Sequence, residues 1–164
     1  MTDSIAARVP ADFYRCAGFA ALAVLALTTI HHIYGAIIYD TPWRFHIAIV
    51  APVLALAIVR ALYLGGSRQG TPSGKLWTMV AAALILIFPV GLIGLVEGGY
   101  NHLVKNLAYF AAGEPMARAL FPAPAYEMPG DFLFEATGIA QLPLGLLAAW
   151  SALAIQPFRR GLAA

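Results

Sequence analysis

An all-α integral membrane fold, a four-transmembrane-helix bundle with both termini cytoplasmic, is predicted by three observations on this sequence. Of its 164 residues, 61% are hydrophobic and only 11% charged, against roughly 25% charged in soluble domains. Four apolar stretches, at about 16–39, 46–65, 76–97 and 131–156, approach the roughly 20 residues that cross a bilayer. The basic residues divide unevenly between the connections. Arg8, Arg15, Arg60, Arg68, Lys75, Arg159 and Arg160 fall on one side, and Arg44, Lys105 and Arg118 on the other. The positive-inside rule puts the richer side, with both termini and the 66–75 turn, in the cytoplasm. Residues 1–164 then form a single transmembrane domain.

The first stretch does not read as a cleaved signal, because Asp3 and Asp12 precede it and it runs on through His31 and His32. Cys16, the only cysteine, excludes an internal disulfide or a thiolate cluster and reads as an inert helix-end residue. The second span is expected to open at Thr41-Pro42, threonine as cap and proline at the first helical position. "GGSRQGTPSG" (65–74) suits the turn into the third span, having no hydrophobic face to bury.

The third span is expected to end at Glu97, where Gly98 and Gly99 let the chain turn sharply. Residues 98–130 then form an outer cap. Leu103, Leu107 and Phe110 lie at i, i+4 and i+7, with Lys105 and Asn106 on other faces, the pattern of an amphipathic helix lying on the membrane surface. The proline-rich "EPMARALFPAPAYEMPG" that follows cannot be one long helix. Before the fourth span, "YEMPGDF" (126–132) echoes "YDTPWRF" (39–45), either as the trace of a duplicated hairpin or as repeated capping chemistry. Pro89, Gly91, Gly94 and Gly98 in the third span, with Gly138, Pro143 and Gly145 in the fourth, permit close packing and kinks.

This topology polarises the molecule. All four histidines (His31, His32, His46, His102) and six of the eight carboxylates (Asp40, Glu97, Glu114, Glu127, Asp131, Glu135) fall in the outer half. His31 and His32 lie roughly 10–12 Å below the outer end of the first helix, at ~1.5 Å rise per residue. An ionised Glu135, one turn below Asp131, costs on the order of 2–3 kcal/mol in hydrocarbon unless it is paired. Every helix or its outer connection supplies a nitrogen or oxygen ligand, as a metal site in a bundle core requires. The candidate ligands are His31, His32, His46, Glu97, His102, Asp131 and Glu135, and without thiolates they suit Fe, Zn, Mn or Cu(II). Tyr34 and Tyr39, at i+3 from His31 and i+7 from His32, are candidate proton donors.

Blander roles compete for several of these residues. Asp131 follows Pro-Gly at a helix start, where an acid caps, and Asp40 with Arg44 has the spacing of a rim ion pair. Trp43, Tyr39, Tyr100, Tyr109 and Tyr126 fit an interfacial aromatic belt. HExxH and Glu-x-x-His motifs are absent from the sequence. The expected function is a metal-dependent redox or hydrolytic membrane enzyme acting on a lipid- or quinone-like substrate. Alternatives are a b-type haem protein ligated through His31 or His32, and an accessory subunit of a larger membrane complex or homo-oligomer with no chemistry of its own. Membrane lipids are the expected surroundings, and nucleic-acid binding has no support. Eight arginines to two lysines, with abundant alanine and glycine, points to a bacterial inner membrane, which makes the outer side periplasmic.

Overall fold

The computed structural model describes residues 8–123 and 125–155 as an all-helical bundle. Asp3, Arg159 and Arg160, which enter the charge argument, lie outside the described residues. Helix α1 spans Ala11–Ile38; a 3-10 turn over Pro42–His46 leads into α2, Ile47–Ser67; and α3 begins at Pro72 and runs to Ile85. From there the chain continues as a π-helical segment, Leu86–Val104, and then as α4, Lys105–Ala112. A short α5, Glu114–Leu120, precedes α6, Phe132–Ala154. Among the described residues, four helical stretches are long and apolar enough to cross a membrane: Ala11–Ile38, Pro42–Ser67, Pro72–Ala112 and Phe132–Ala154.

The connections follow local chemistry. Gly70 takes a left-handed backbone (φ +83°) in the turn between α2 and α3. Thr71 Oγ1 accepts from the Gly74 backbone N–H at 3.0 Å, and Pro72 fills the first helical turn. Asp131 caps α6 in the same way, accepting from the Phe134 N–H at 2.8 Å. Thr41, expected to cap the second span, makes no side-chain cap and instead donates to the Gly35 carbonyl at 3.3 Å. The two similar heptads are therefore used differently: Pro42 lies inside the 3-10 turn, whereas Pro129 precedes the cap of α6.

The third span does not stop at Glu97. It runs 41 residues, Pro72–Ala112, about twice what a bilayer needs. Pro89 removes a backbone donor, and a shift of the helical ladder to i→i+5 bonds is one of the adjustments that accommodates proline in an apolar helix. Gly94 and Gly98 then let this wider segment meet α6 backbone to backbone. A Cβ on Gly94 would sit 2.9 Å from Gly145 Cα, and one on Gly98 2.6 Å from the Leu142 nitrogen. The expected surface helix is the continuation of this rod, and its polarity is inverted. Lys105 is 2% exposed, while Leu107 and Phe110 are 59% and 74% exposed. The polar face turns into the bundle, and the apolar face turns outward.

At the end near the Arg68–Thr71 turn the core from α1, α2, α3 and α6 is rich in small residues, among them Ala17, Ala21, Ala61, Ala81 and Ala148. At the other end, α5 and the loop after it fold back over the bundle. Phe121 is fully buried against Tyr100 and Tyr126, with ring centroids at 4.9 and 5.3 Å. Beneath that cover lies the polar cluster.

Candidate metal centre

Three side chains from two elements meet at one point. His31 comes from α1, and Glu97 and His102 from the π-helical segment; their potential ligand atoms all lie within 4.8 Å of one another. In an α-helix, residues five apart point about 140° away from each other. The i→i+5 geometry brings Glu97 and His102 onto successive turns of one face instead.

Both imidazoles aim Nε2 at the same carboxylate oxygen. Glu97 Oε1 is 3.6 Å from His31 Nε2 and 3.4 Å from His102 Nε2, longer than the 2.7–3.2 Å typical of N–H···O hydrogen bonds. Two atoms that each bind one metal at about 2.0–2.1 Å, at a tetrahedral angle, lie about 3.3–3.4 Å apart. The two distances to Glu97 Oε1 are close to those of ligands around a shared ion.

Each of the three is fixed from behind. His31 Nδ1 bonds Thr137 Oγ1 at 3.0 Å, and His102 Nδ1 bonds Glu135 Oε2 at 2.8 Å. Asn101, one helical turn beyond Glu97, donates to Glu97 Oε2 at 2.7 Å and leaves Oε1 toward the imidazoles. Partners of this kind set the tautomer and ring orientation of metal ligands in known sites. Glu135 is held in turn by Lys105 Nζ at 2.9 Å and by Asn106 Nδ2. Lys105 also donates to the Glu127 carbonyl at 2.8 Å, which ties the covering loop to the cluster.

Packing holds the rings as well. Phe134 stacks on His31, with centroids 4.2 Å apart and planes 19° apart. Gly138 on α6 faces His102 so closely that a Cβ there would overlap the ring. The cluster opens into a cavity of about 200 Å³ lined by His31, His32, Trp43, Arg44, Glu97, Asn101, His102, Lys105, Tyr126, Glu127 and Phe134. Arg44 does not pair with Asp40 as its spacing predicts. It is buried, with its Nη2 3.7 Å from Glu127 Oε1 and its guanidinium over the Tyr39, Trp43 and Phe134 rings. Asp40 itself adopts a left-handed backbone, φ 50°, at the end of α1.

The other expected ligands stand apart from this trio. His32 lines the cavity, with Nδ1 3.0 Å from the Thr28 carbonyl, and His46 is exposed on the 3-10 turn, with Nδ1 2.7 Å from the Trp43 carbonyl. Glu135 reaches the trio through His102. Asp131 spends one oxygen on its helix cap and accepts from Tyr34 OH with the other at 3.1 Å. Tyr39 is packed against Phe134, its hydroxyl buried without a partner among the described residues. Burial pushes that phenol up to about 12, with the Glu135, Asp131 and Glu127 carboxylates adding to the effect. Neither tyrosine lines the cavity.

Thr137, Asn101, Asn106 and Phe134 are not among the site residues expected from the sequence. Asn101 and Asn106 lie four residues after Glu97 and His102, a spacing that places side chains together on a helix. Thr137 and Phe134 carry no signal beyond their neighbourhood to Glu135. A haem between His31 and His102 has no room, because their rings stand edge to face with centroids 4.6 Å apart.

Fold and cluster together define a class: a polytopic helical bundle of membrane type carrying a buried histidine–carboxylate site able to bind a metal. Comparison with protein-family models, with curated proteins and with solved structures finds no match.

Proposed function

We propose that the protein is a metal-dependent membrane oxidoreductase in which His31, Glu97 and His102 hold one divalent transition metal and leave its remaining positions open to the cavity. The observation that carries this reading is the convergence of two Nε2 atoms on one Glu97 oxygen, with each Nδ1 and the second Glu97 oxygen already engaged. Charge supports it. Around the cavity Glu97, Glu127 and Glu135 face Arg44 and Lys105, so neutral imidazoles leave one negative charge in excess for a cation to balance.

Two histidines and one carboxylate with open positions serve both non-haem iron(II) and catalytic zinc. We favour redox chemistry because the carboxylates at the cavity are committed and a zinc hydrolase needs a base beside the metal: Glu127 faces Arg44, and Glu135 is bound by His102, Lys105 and Asn106, which leaves His32 as the one candidate base among the described cavity residues. The cavity, at about 200 Å³, is smaller than the roughly 300 Å³ or more of whole-ligand pockets. It suits a small molecule or the polar end of a lipid- or quinone-like substrate entering from the membrane interface.

The charge distribution supports a periplasmic site with the termini in the cytoplasm. Two of the three cations at the cluster end, Arg44 and Lys105, are buried within the cluster, and the third, Arg118, pairs with Glu114 at 2.7 Å. A second reading has one specific support: His102, set between Glu135 and Glu97, has the position of an imidazolium bridging two carboxylates. The cluster would then be a structural knot in an accessory subunit.

Elemental analysis of detergent-purified protein separates the two. A near-stoichiometric transition metal, retained by wild type and lost in both Glu97→Gln and His31→Ala, is the expected result. Wild type that stays metal-free after incubation with iron(II), zinc or manganese, with unchanged thermal stability, overturns the metal reading in favour of the structural one. Iron-loaded protein that reduces oxygen or oxidises a quinol, where zinc-loaded protein is inert, establishes the redox assignment.

A further inference from the structure

The four imidazoles form a descending series. His46 is exposed, His32 is half-buried, and His31 and His102 are 1% and 2% exposed. Successive ring centroids are 6.3 Å apart for His46–His32, 5.3 Å for His32–His31 and 4.6 Å for His31–His102. Two imidazoles that share one ion at about 2.0–2.1 Å have centroids from about 4.5 Å apart, at a right angle, to about 6.5 Å, when opposed. All three steps fall within that range. The ring spacing therefore meets one requirement of a hand-over, that neighbouring imidazoles be close enough to share an ion.

The two outer rings are also set in one tautomer. His46 Nδ1 faces the Trp43 carbonyl at 2.7 Å, and His32 Nδ1 faces the Thr28 carbonyl at 3.0 Å. A carbonyl only accepts, so Nδ1 carries the proton in each neutral ring and Nε2 presents a lone pair. This is the arrangement in which backbone carbonyls fix ligating histidines in metal sites. In both rings the hydrogen bonds run through Nδ1, which leaves Nε2 for an ion.

We infer that His46 and His32 form an outer capture site that takes a divalent transition metal from the membrane surface and passes it to His31, Glu97 and His102. The transfer is an exchange of nitrogen ligands on an ion of constant charge, with no redox step. Its direction follows from ligand number and charge: two neutral imidazoles outside, and two imidazoles with a carboxylate inside. The inference rests on the buried trio being a metal site.

The test is the loading of detergent-purified full-length protein with cobalt(II), followed by its visible absorption in a stopped-flow instrument, together with zinc binding at equilibrium. Variants are His46→Ala, at an exposed position, and His32→Gln, with Glu97→Gln as the control for the inner site. With cobalt held below one equivalent, the expected result is an unchanged final spectrum in His46→Ala and His32→Gln, reached roughly tenfold or more slowly, taking as scale the roughly 10- to 100-fold by which losing a supporting group lowers metal affinity or activity. The zinc isotherm should also lose its weaker component in those two variants and its tighter one in Glu97→Gln. Loading of His46→Ala and His32→Gln at the wild-type rate overturns the capture site while leaving the inner metal centre standing. Wild type that binds only a weak, His46-dependent ion removes the inner site, and the hand-over with it.

Discussion

Near the Arg68–Thr71 turn the four helices touch through Ala17, Ala21, Ala61, Ala81, Ala148 and Ala152, with Tyr14 OH and Thr78 Oγ1 joined at 2.8 Å. At the opposite end α1, the third span and α6 meet through His31, Glu97, His102, Lys105 and Glu135, which directed polar bonds join to one another and to their neighbours. Lipid removes the hydrophobic drive that joins helices in water, so small residues that let backbones approach, and interhelical hydrogen bonds, are the two remaining means. This protein uses one at each end. Close packing of alanines tolerates loss of a member locally, whereas a buried chain of charges fails when a link is removed, because the partner is left uncompensated.

The sharpest test of that difference is Glu135→Ala. It strands the buried Lys105 ammonium and frees His102 Nδ1 at once. Breaking one partner of a buried pair costs about 3–5 kcal/mol, to be read as reversible unfolding in detergent or lipid. Glu135→Gln, which keeps the shape, should retain more stability but lower metal affinity roughly 10- to 100-fold, as loss of a supporting carboxylate does elsewhere. If Glu135→Ala costs no more than an Ala21→Leu change at the alanine end, the contrast between the halves fails.

Metal removal comes next in size. A chelator-treated sample should lose the linkage contribution, about 2.7 kcal/mol at a free-metal level 100 times Kd, seen as a lower midpoint that returns on reloading. Acid should act in the same direction, because protons compete with the ion for the imidazole nitrogens and the carboxylate. In His31→Ala chelation should not shift the midpoint, and the acid shift should shrink to the part owed to paired carboxylates such as Glu135. A wild-type midpoint indifferent to chelation would make the polar half self-sufficient and would favour an imidazolium at His102.

Gly138→Ala and Gly94→Ala sharpen the comparison within the interface between the third span and α6. A methyl at Gly138 overlaps the His102 ring, whereas one at Gly94 meets Gly145 Cα and the Pro89 carbonyl. Overpacking of either kind costs about 1–3 kcal/mol. Only Gly138→Ala displaces a ligand, so it alone should lose metal at temperatures where the fold persists. Equal metal loss in both variants would mean that backbone approach, and not ring placement, controls the site.

How much of this was written plainly in the chain depends on which helical period a residue obeys. The four spans follow from apolar length. His31, His32, Glu97 and Glu135 stand out because neither capping nor surface solvation accounts for an acid or imidazole at that depth, whereas His102 reads as an interfacial residue that water could satisfy. Their mutual geometry was hidden: with 3.6 residues per turn Glu97 and His102 diverge, and Gly98-Gly99 reads as a break where the structure has a continuous π-helical segment. The same miscount laid the helix that carries Lys105 on the membrane surface. Asp131 and Arg44 were ambiguous for another reason, since a helix start offers an acid a cap and a rim offers an arginine a partner. Only the fold decides that Asp131 binds Phe134 N–H and Tyr34, and that Arg44 turns inward over Phe134.

The smallest expected effect lies at the alanine end and completes the contrast. Thr78 is buried, its hydroxyl donating to the Gly74 carbonyl at 2.9 Å and meeting Tyr14 OH at 2.8 Å. Thr78→Val exchanges the hydroxyl for a methyl of similar size and leaves the Tyr14 hydroxyl without that partner. Interhelical hydrogen bonds in membranes average about 0.6 kcal/mol, with about 1.7 at most, and the Gly74 carbonyl already belongs to a helical turn. The variant should therefore unfold within about 1 kcal/mol of wild type and bind metal with unchanged stoichiometry and loading rate. Unfolding and metal titration of the same preparation check both. A cost approaching that of Glu135→Ala, or any change in metal content, would show that the two ends are one cooperative network and that the polar bond, not the alanine packing, holds this half together.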